Sequence, residues 1–197
     1  MNIINLKQII RLAVLLGVAG FALTPFQAAR IAGFTWTPFQ SVRAAEDIRG
    51  PELPSYCSNL EVPSRSKVIF HVYALGVQIY RWNGSGWEFV APLANLYADS
   101  NYHGQVGTHY AGPTWESNSG SKVIASRLDG CSADPTAVPW LLLETVTADG
   151  PGIFKKVDYI QRVNTVGGIS PANPGSTVGE EVRVPYTAEY YFYRAGD

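Results

Sequence analysis

Apolar and polar residues alternate with a period of two along much of the chain, and this pattern predicts β-strands. The clearest case is residues 67–74, which place Val68, Phe70, Val72 and Ala74 on one face and Ile69, His71 and Tyr73 on the other. Residues 77–82 continue this strand beyond Gly76, which suggests a bulge or a close backbone approach. Asn83-Gly-Ser-Gly86 then predicts a hairpin turn bracketed by Trp82 and Trp87.

Further strand-like runs follow, separated by Gly-, Pro- and Ser-containing turns. Residues 138–147 are apolar on both faces at their start, as expected of a strand buried on both sides. No convincing helix follows the N-terminal region, and no repeat of fixed period is present. We therefore predict an all-β fold, either a single antiparallel β-sandwich or a closed β-barrel of roughly eight strands. The remaining predicted strands are 87–90, 93–97, 122–127, 154–165 and 182–194.

The N-terminal residues carry a different pattern. Lys7 and Arg11 precede an apolar run of about a dozen residues, 12–23, which is too short for a membrane span. A basic start and a short apolar run are typical of a secretory signal, with an uncleaved anchor as the alternative. Residues 1–45 are predicted to be a leader, cleaved after Ala29 or Ala44, and residues 46–197 a single domain. The protein is thus expected to be secreted or periplasmic, without a stable membrane span after cleavage.

Removal of this leader changes the charge balance. The leader contains four basic residues and no acid, so 15 basic residues less four leaves 11 against 16 acidic ones, a net charge near −5. No run of Lys or Arg occurs in the chain. A nucleic-acid-binding surface needs a basic patch, so nucleic acid is not expected as a partner.

Two cysteines, Cys57 and Cys131, both lie in the predicted mature domain. In an oxidising compartment an even pair is most simply one disulfide, here joining the N-terminal segment to the predicted loop 128–137. Two free thiols or half of a metal site are the alternatives, although no CxxC pair supports a metal.

Five sequence strings resemble one known family. They are residues 76–80, 107–116, 138–142, 159–168 and 184–194, and they resemble the family catalogued as domain of unknown function 3455, found in secreted bacterial and fungal proteins. Relatives often carry Gly-Cys where this chain has Ala172-Asn-Pro-Gly-Ser176, so a family-wide disulfide pattern is not carried over. The resemblance implies export and a single domain, and it implies no mechanism.

The stretch Gly107–Glu116 concentrates the chemistry of the chain. Its Gly-Pro pair forces a change of direction, so we expect His109 and Trp115 on the two arms of a tight bend. Polar residues on the strands would add groups that fix a small polar ligand among aromatics if they point into a barrel mouth, and would form solvated strand faces if they point outward. The predicted ligand-binding residues are His109, Tyr110, Trp115, Glu116, Gln78 and Arg162.

Two enzymatic alternatives remain open. His71 and His109 could meet across a sheet, with Glu116 or Asp99 completing a metal site, although no HxH or HExxH spacing supports one. Glu116 beside Trp115 could be the general acid of a glycosidase, whose second carboxylate would be Asp99, Asp158 or Glu144. Because the chain has no GxSxG, strand-linked GxGxxG or P-loop motif, no catalytic residue and no cofactor is predicted.

Three functions are therefore weighed. The leading one is a periplasmic or extracellular binding module for a small polar ligand. The second is a secreted hydrolase or metal-dependent enzyme, favoured if paired carboxylates or His71 and His109 converge. The third is a structural or interaction protein bound to a cell-envelope component, favoured if the aromatics form an exposed patch.

Overall fold

The computed structural model describes residues 49–196, which fold into a closed antiparallel β-barrel. Each strand pairs with its neighbours in chain order, and β8 returns to pair with β1. The predicted all-β class is confirmed, and of the two architectures weighed it is the barrel. Within the described residues the strands are β1 (Lys67–Trp82), β2 (Trp87–Tyr97), β3 (Gln105–Tyr110), β4 (Thr114–Ser117), β5 (Lys122–Cys131), β6 (Trp140–Asp149), β7 (Tyr159–Gly167) and β8 (Glu181–Arg194).

The long strand β1 follows the predicted alternation with one change of register. Val72 and Ala74 are fully buried in the barrel interior, and His71 and Tyr73 lie on the outer face. A shift in the pairing with β8 between Val68 and Phe70 moves Val68 to an outer cluster, so its predicted face was wrong. Gly76 marks a close approach, because a Cβ there would lie 2.2 Å from the carbonyl oxygen of Leu93.

The β1–β2 hairpin forms at the predicted turn. Gly84 has a φ of 101°, and the rings of Trp82 and Trp87 meet edge to face with centroids 5.4 Å apart. The strand that follows was predicted as two short pieces, 87–90 and 93–97, but it is continuous. Pro92 lies within it, at a point where β2 has no partner on its second edge. Proline is tolerated in a strand at such an edge, because no ladder N–H is required there.

A short segment covers the outer face of the barrel. A 3₁₀ turn, η1 (Ser55–Leu60), buries Cys57 and Leu60 against Leu142 of β6. The predicted disulfide between Cys57 and Cys131 is present, and Cys131 is the last residue of β5 rather than part of a loop. Leu141 and Leu143 face the interior whereas Leu142 faces the outer cluster, so β6 is apolar on both faces at its start, as its sequence predicted.

The predicted strand 154–165 begins later than expected. A second 3₁₀ turn, η2 (Ile153–Lys156), precedes β7 and places Phe154 in the interior. Its ring contacts Phe192 at a centroid distance of 4.8 Å and Phe70 at 5.7 Å. The gain from burying this aromatic ring accounts for the turn at a place where the alternating pattern favoured a strand.

The N-terminal predictions concern residues that are not described. The leader 1–45 and the two cleavage sites, after Ala29 or Ala44, lie outside residues 49–196. Within residues 49–196, no helix is long and apolar enough to cross a membrane.

Candidate functional site

β3 and β4 are shorter than the other strands given above, and the hairpin that they form carries the predicted bend. Gly112 has a φ of 104°, a backbone conformation that favours glycine, and this lets the chain reverse between Tyr110 and Thr114. His109 and Trp115 are direct partners across the hairpin. The prediction that the two residues lie on the arms of one tight bend is therefore confirmed.

The short hairpin leaves an opening in the barrel wall. β3 pairs with β2 only from Ala94 onward, and β4 pairs with β5 only up to Ile124. On the side facing this hairpin, residues 87–93 of β2 and residues 126–131 of β5 therefore lack a strand partner. We call the opening between these two edges and the turn 111–113 the window.

A cavity of about 300 Å³ lies behind the window. Residues from all three sides of the window line it, together with inward-facing residues of β6, β7 and β8. A second cavity of about 320 Å³ adjoins it, and Phe89, Arg127, Leu141 and Arg162 border both. The other residues around the first, which we call the window cavity, are Val90, Pro92, His109, Gly112, Pro113, Trp115, Leu143 and Tyr190.

His109 forms part of the inner wall and is only 2% exposed. Its ring stacks on Trp115 at a centroid distance of 4.3 Å and an interplanar angle of 13°. Nδ1 lies 2.8 Å from the carbonyl oxygen of Thr114 and donates to it, which leaves Nε2 as an acceptor. Burial, with a smaller contribution from the Arg162 charge, lowers the pKa of His109 to about 3, so the ring is neutral at ordinary pH.

Several buried polar atoms around the cavities have no hydrogen-bond partner. They are Nε1 of Trp115, the hydroxyls of Tyr186 and Tyr190, and Nε2 of Gln78. The Gln78 amide and the two tyrosines lie close enough to affect the pKa of Tyr186, but these atoms do not reach hydrogen-bonding geometry. Two further unpartnered hydroxyls within residues 49–196, on Ser66 and Thr145, line neither cavity. Because buried polar groups are nearly always satisfied, the group of four around the cavities requires an explanation.

Two arginines border both cavities. Arg162 donates from Nε and Nη2 to the carbonyl oxygen of Pro139, at 3.1 and 2.7 Å. Arg127 is exposed, extends over Gly130, and makes no hydrogen bond or ion pair within residues 49–196. None of the residues that line the two cavities is an aspartate or a glutamate.

The structure separates the six predicted ligand residues into two groups. His109, Trp115 and Arg162 line the window cavity, and Gln78 lines the cavity beside it. Tyr110 and Glu116 lie on the other face of the same hairpin. There the Tyr110 hydroxyl donates to Oε2 of Glu116 at 2.5 Å, and Lys122 Nζ lies 3.3 Å from the same oxygen.

The enzymatic alternatives find little geometric support. The hydrogen bond from Tyr110, together with Lys122, lowers the pKa of Glu116, whereas a general acid needs a raised one. His71 is on the outer face, where it stacks on Tyr191 and binds Glu189 at 2.9 Å, so it does not converge with His109. Within residues 49–196 no group of three His, Cys, Asp or Glu side chains could hold a metal ion.

The possible second carboxylates are also elsewhere. Asp99 and Asp158 accept hydrogen bonds from backbone N–H groups, and Glu144 is exposed. None of the three lines the window cavity.

Arg127, Phe89 and Tyr190 are lining residues that the sequence did not single out. The sequence does contain a signal for Arg127 and Phe89. A proline inside a strand, here Pro92, marks a free strand edge and thus a gap in the sheet, and these two residues lie on the edges of that gap. The inward position of Tyr190 follows from the alternation along β8, where Ala188 and Phe192 share its face.

These features define a small antiparallel β-barrel protein with a cavity that opens through its wall and combines a mostly apolar lining with two arginines and a buried histidine. The chain belongs to the family described as Protein of unknown function (DUF3455), whose model matches residues 63–194. No curated protein matches this chain, and neither does any solved structure.

Proposed function

We propose that this protein is an exported binding module that holds a small polar ligand in the window cavity. The observation that carries the proposal is the set of unpartnered buried polar atoms beside a cavity of about 300 Å³. An unsatisfied buried donor or acceptor costs about 1–3 kcal/mol, and a ligand that supplies the missing partner removes that cost. A volume of this size is at the lower end of the range for small-molecule sites.

The chemistry of the cavity favours binding over catalysis. The neutral His109 offers one acceptor and stacks on Trp115, and it has no carboxylate partner to orient it as a general base. Export is supported by the leader pattern of residues 1–45 and by the disulfide, which suits an oxidising compartment. The mature domain would then be residues 46–197.

The test is an NMR titration of the mature domain with a panel of one-ring compounds bearing polar groups. The indole N–H resonance of Trp115, assigned by its loss in Trp115→Phe, is the readout. We expect panel members to shift this resonance. Leu141→Trp, which fills the cavity, should abolish the shift, whereas Val146→Trp on the exposed part of the same strand should retain it.

The proposal is overturned if no panel member shifts the Trp115 resonance at millimolar concentration. It is equally overturned if the shift persists in Leu141→Trp, because binding would then take place outside the cavity. The melting temperatures of the two tryptophan variants, compared with that of the parent domain, separate lost binding from lost folding.

A further inference from the structure

We propose that the ligand of the window cavity is a small organic anion, with a planar head such as a carboxylate and an apolar body. This inference rests on the proposed binding function and adds the charge and shape of the ligand. It depends on three independent observations: the charges at the cavity, the balance of donors and acceptors, and the apolar surface between them.

The first observation is uncompensated positive charge. Arg127 and Arg162 border both cavities, and neither forms an ion pair within residues 49–196. The Arg162 charge reaches the interior, where it lowers the pKa of His109 and opposes the burial that raises the pKa of Tyr190. Since no acidic side chain lines the cavities, an anion would be attracted and a cation repelled.

The second observation is an excess of donors. Trp115 Nε1 can only donate, as can the nitrogens of both guanidinium groups, whereas His109 Nε2 can only accept. The tyrosine hydroxyls can do either. A ligand rich in oxygen acceptors therefore satisfies more of these groups than one rich in donors. A carboxylate also matches the planar fork of a guanidinium, and such charge-assisted hydrogen bonds are stronger than neutral ones.

The third observation is the apolar surface beside the arginines. Leu141, Leu143 and Pro113 line the window cavity, and the exposed Phe89 stands at its edge. A fully polar anion such as sulfate would leave this surface uncovered. A ring or short hydrocarbon bearing one anionic head would cover it while the head remains beside Arg127 and Arg162.

The window gives such a ligand a route and an orientation. Arg127 is exposed on the β5 side, so the anionic head would meet it first, and the apolar body would cover Leu141 and Leu143. Specificity would come from the buried groups and attraction from the arginine at the entrance.

The test uses three probes of nearly equal shape: benzoate, benzamide and benzamidine, which carry charges of −1, 0 and +1. Each is titrated into the mature domain with the Trp115 indole N–H resonance as the readout. We expect benzoate to bind about tenfold more tightly than benzamide, the ratio that one charge-assisted hydrogen bond supplies. Benzamidine should bind most weakly, and added salt should reduce the advantage of benzoate.

Arg127→Gln provides the matched variant, because Arg127 is exposed and forms no hydrogen bond or ion pair within residues 49–196. It should weaken benzoate by about tenfold and weaken benzamide by a smaller factor, because only benzoate loses a charge-assisted hydrogen bond. Arg81→Gln, which removes an arginine paired with Glu181 away from the cavity, is the control and should alter neither affinity.

The outcomes separate this inference from the proposed function. If benzamide or benzamidine binds as tightly as benzoate, the cavity is a binding site but the ligand is not an anion. The same holds if Arg127→Gln leaves the affinity for benzoate intact. If none of the three probes shifts the Trp115 resonance at millimolar concentration while another panel member does, the anion inference fails and the binding function stands. If no panel member shifts it, both fail.

Discussion

The barrel interior has a packed half and a hollow half. In the packed half, Phe70, Phe154 and Phe192 form a cluster of edge-to-face and tilted rings with centroids 4.8–5.9 Å apart. Leu96 and Val123 are fully buried in the same core. These side chains are all apolar, so packing alone accounts for their positions.

The hollow half is built from the same strands but is filled differently. There the interior side chains of β1, β7 and β8 are Gln78, Arg162 and Tyr190. Trp115 lies between the halves, with its ring edge-to-face with Phe192 at 6.1 Å and stacked on His109 at 4.3 Å.

The cavity is therefore not a consequence of the barrel itself. Side chains fill one half of the interior well. They would fill the other half similarly if β3 and β4 were longer and the polar residues of that half were apolar. Unfilled volume and unsatisfied polar atoms both lower stability. Four unsatisfied polar atoms occur together with unfilled volume behind the window, and this combination connects the hollow half to binding.

The largest expected effect compares leucines from the two halves. Leu96→Ala should lower the free energy of unfolding by about 3 kcal/mol, because it opens a new void in a packed core. Leu141→Ala should cost less than about 2 kcal/mol, since Leu141 is half-buried and already borders empty space. Urea unfolding of both variants measures the difference. Equal costs would mean that the window cavity is filled in solution.

A second effect comes from His109. The folded protein keeps this ring neutral, with a pKa of about 3, whereas the unfolded chain takes up a proton near its ordinary value of about 6.5. The unfolded state therefore binds more protons between these values, and the contribution of His109 to stability, complete above pH 6.5, diminishes as the pH falls towards 3. The slope is about 1.4 kcal/mol per pH unit for one such group.

His109→Asn, which can keep a donor towards the Thr114 carbonyl, should remove this slope between about pH 6 and pH 5. His103→Gln is the matched control, because His103 is an exposed histidine that does not line the window cavity. The measurement is the free energy of unfolding as a function of pH for all three proteins. A parent protein whose stability is flat over this range would contradict a buried neutral His109.

Much of the packed half could be predicted from sequence. The alternation in β1 and the Asn-Gly turn led to the correct class and approximate strand number, because these signals are local. The alternation failed where a tertiary gain competed with it, as at Phe154, whose burial required a turn. It also failed at Val68, where a bulge changed the register.

The hollow half could be predicted only in part. The Gly-Pro bend placed His109 opposite Trp115 correctly, since a turn and its two neighbours form one local unit. The face on which Tyr110 and Glu116 lie depends on how the hairpin joins the barrel, and Arg127 comes from a strand that does not pair with β3. Proximity across a closed sheet depends on register over the whole ring, which no local pattern specifies.

The smallest expected effect tests the unpartnered atoms directly. Tyr190→Phe removes a buried hydroxyl that has no hydrogen bond, so the free energy of unfolding should stay within about 0.5 kcal/mol of the parent value or rise. Tyr193→Phe is the matched change on the outer face. It removes a hydroxyl that donates to Gln161, leaves that amide oxygen unpaired, and should cost about 1–2 kcal/mol. Urea unfolding in the absence of added ligand distinguishes the two variants.

A decrease in the free energy of unfolding for Tyr190→Phe as large as that for Tyr193→Phe would mean that the Tyr190 hydroxyl already has a partner in the free protein. The hollow half would then be satisfied by itself, and the main support for a ligand there would be lost.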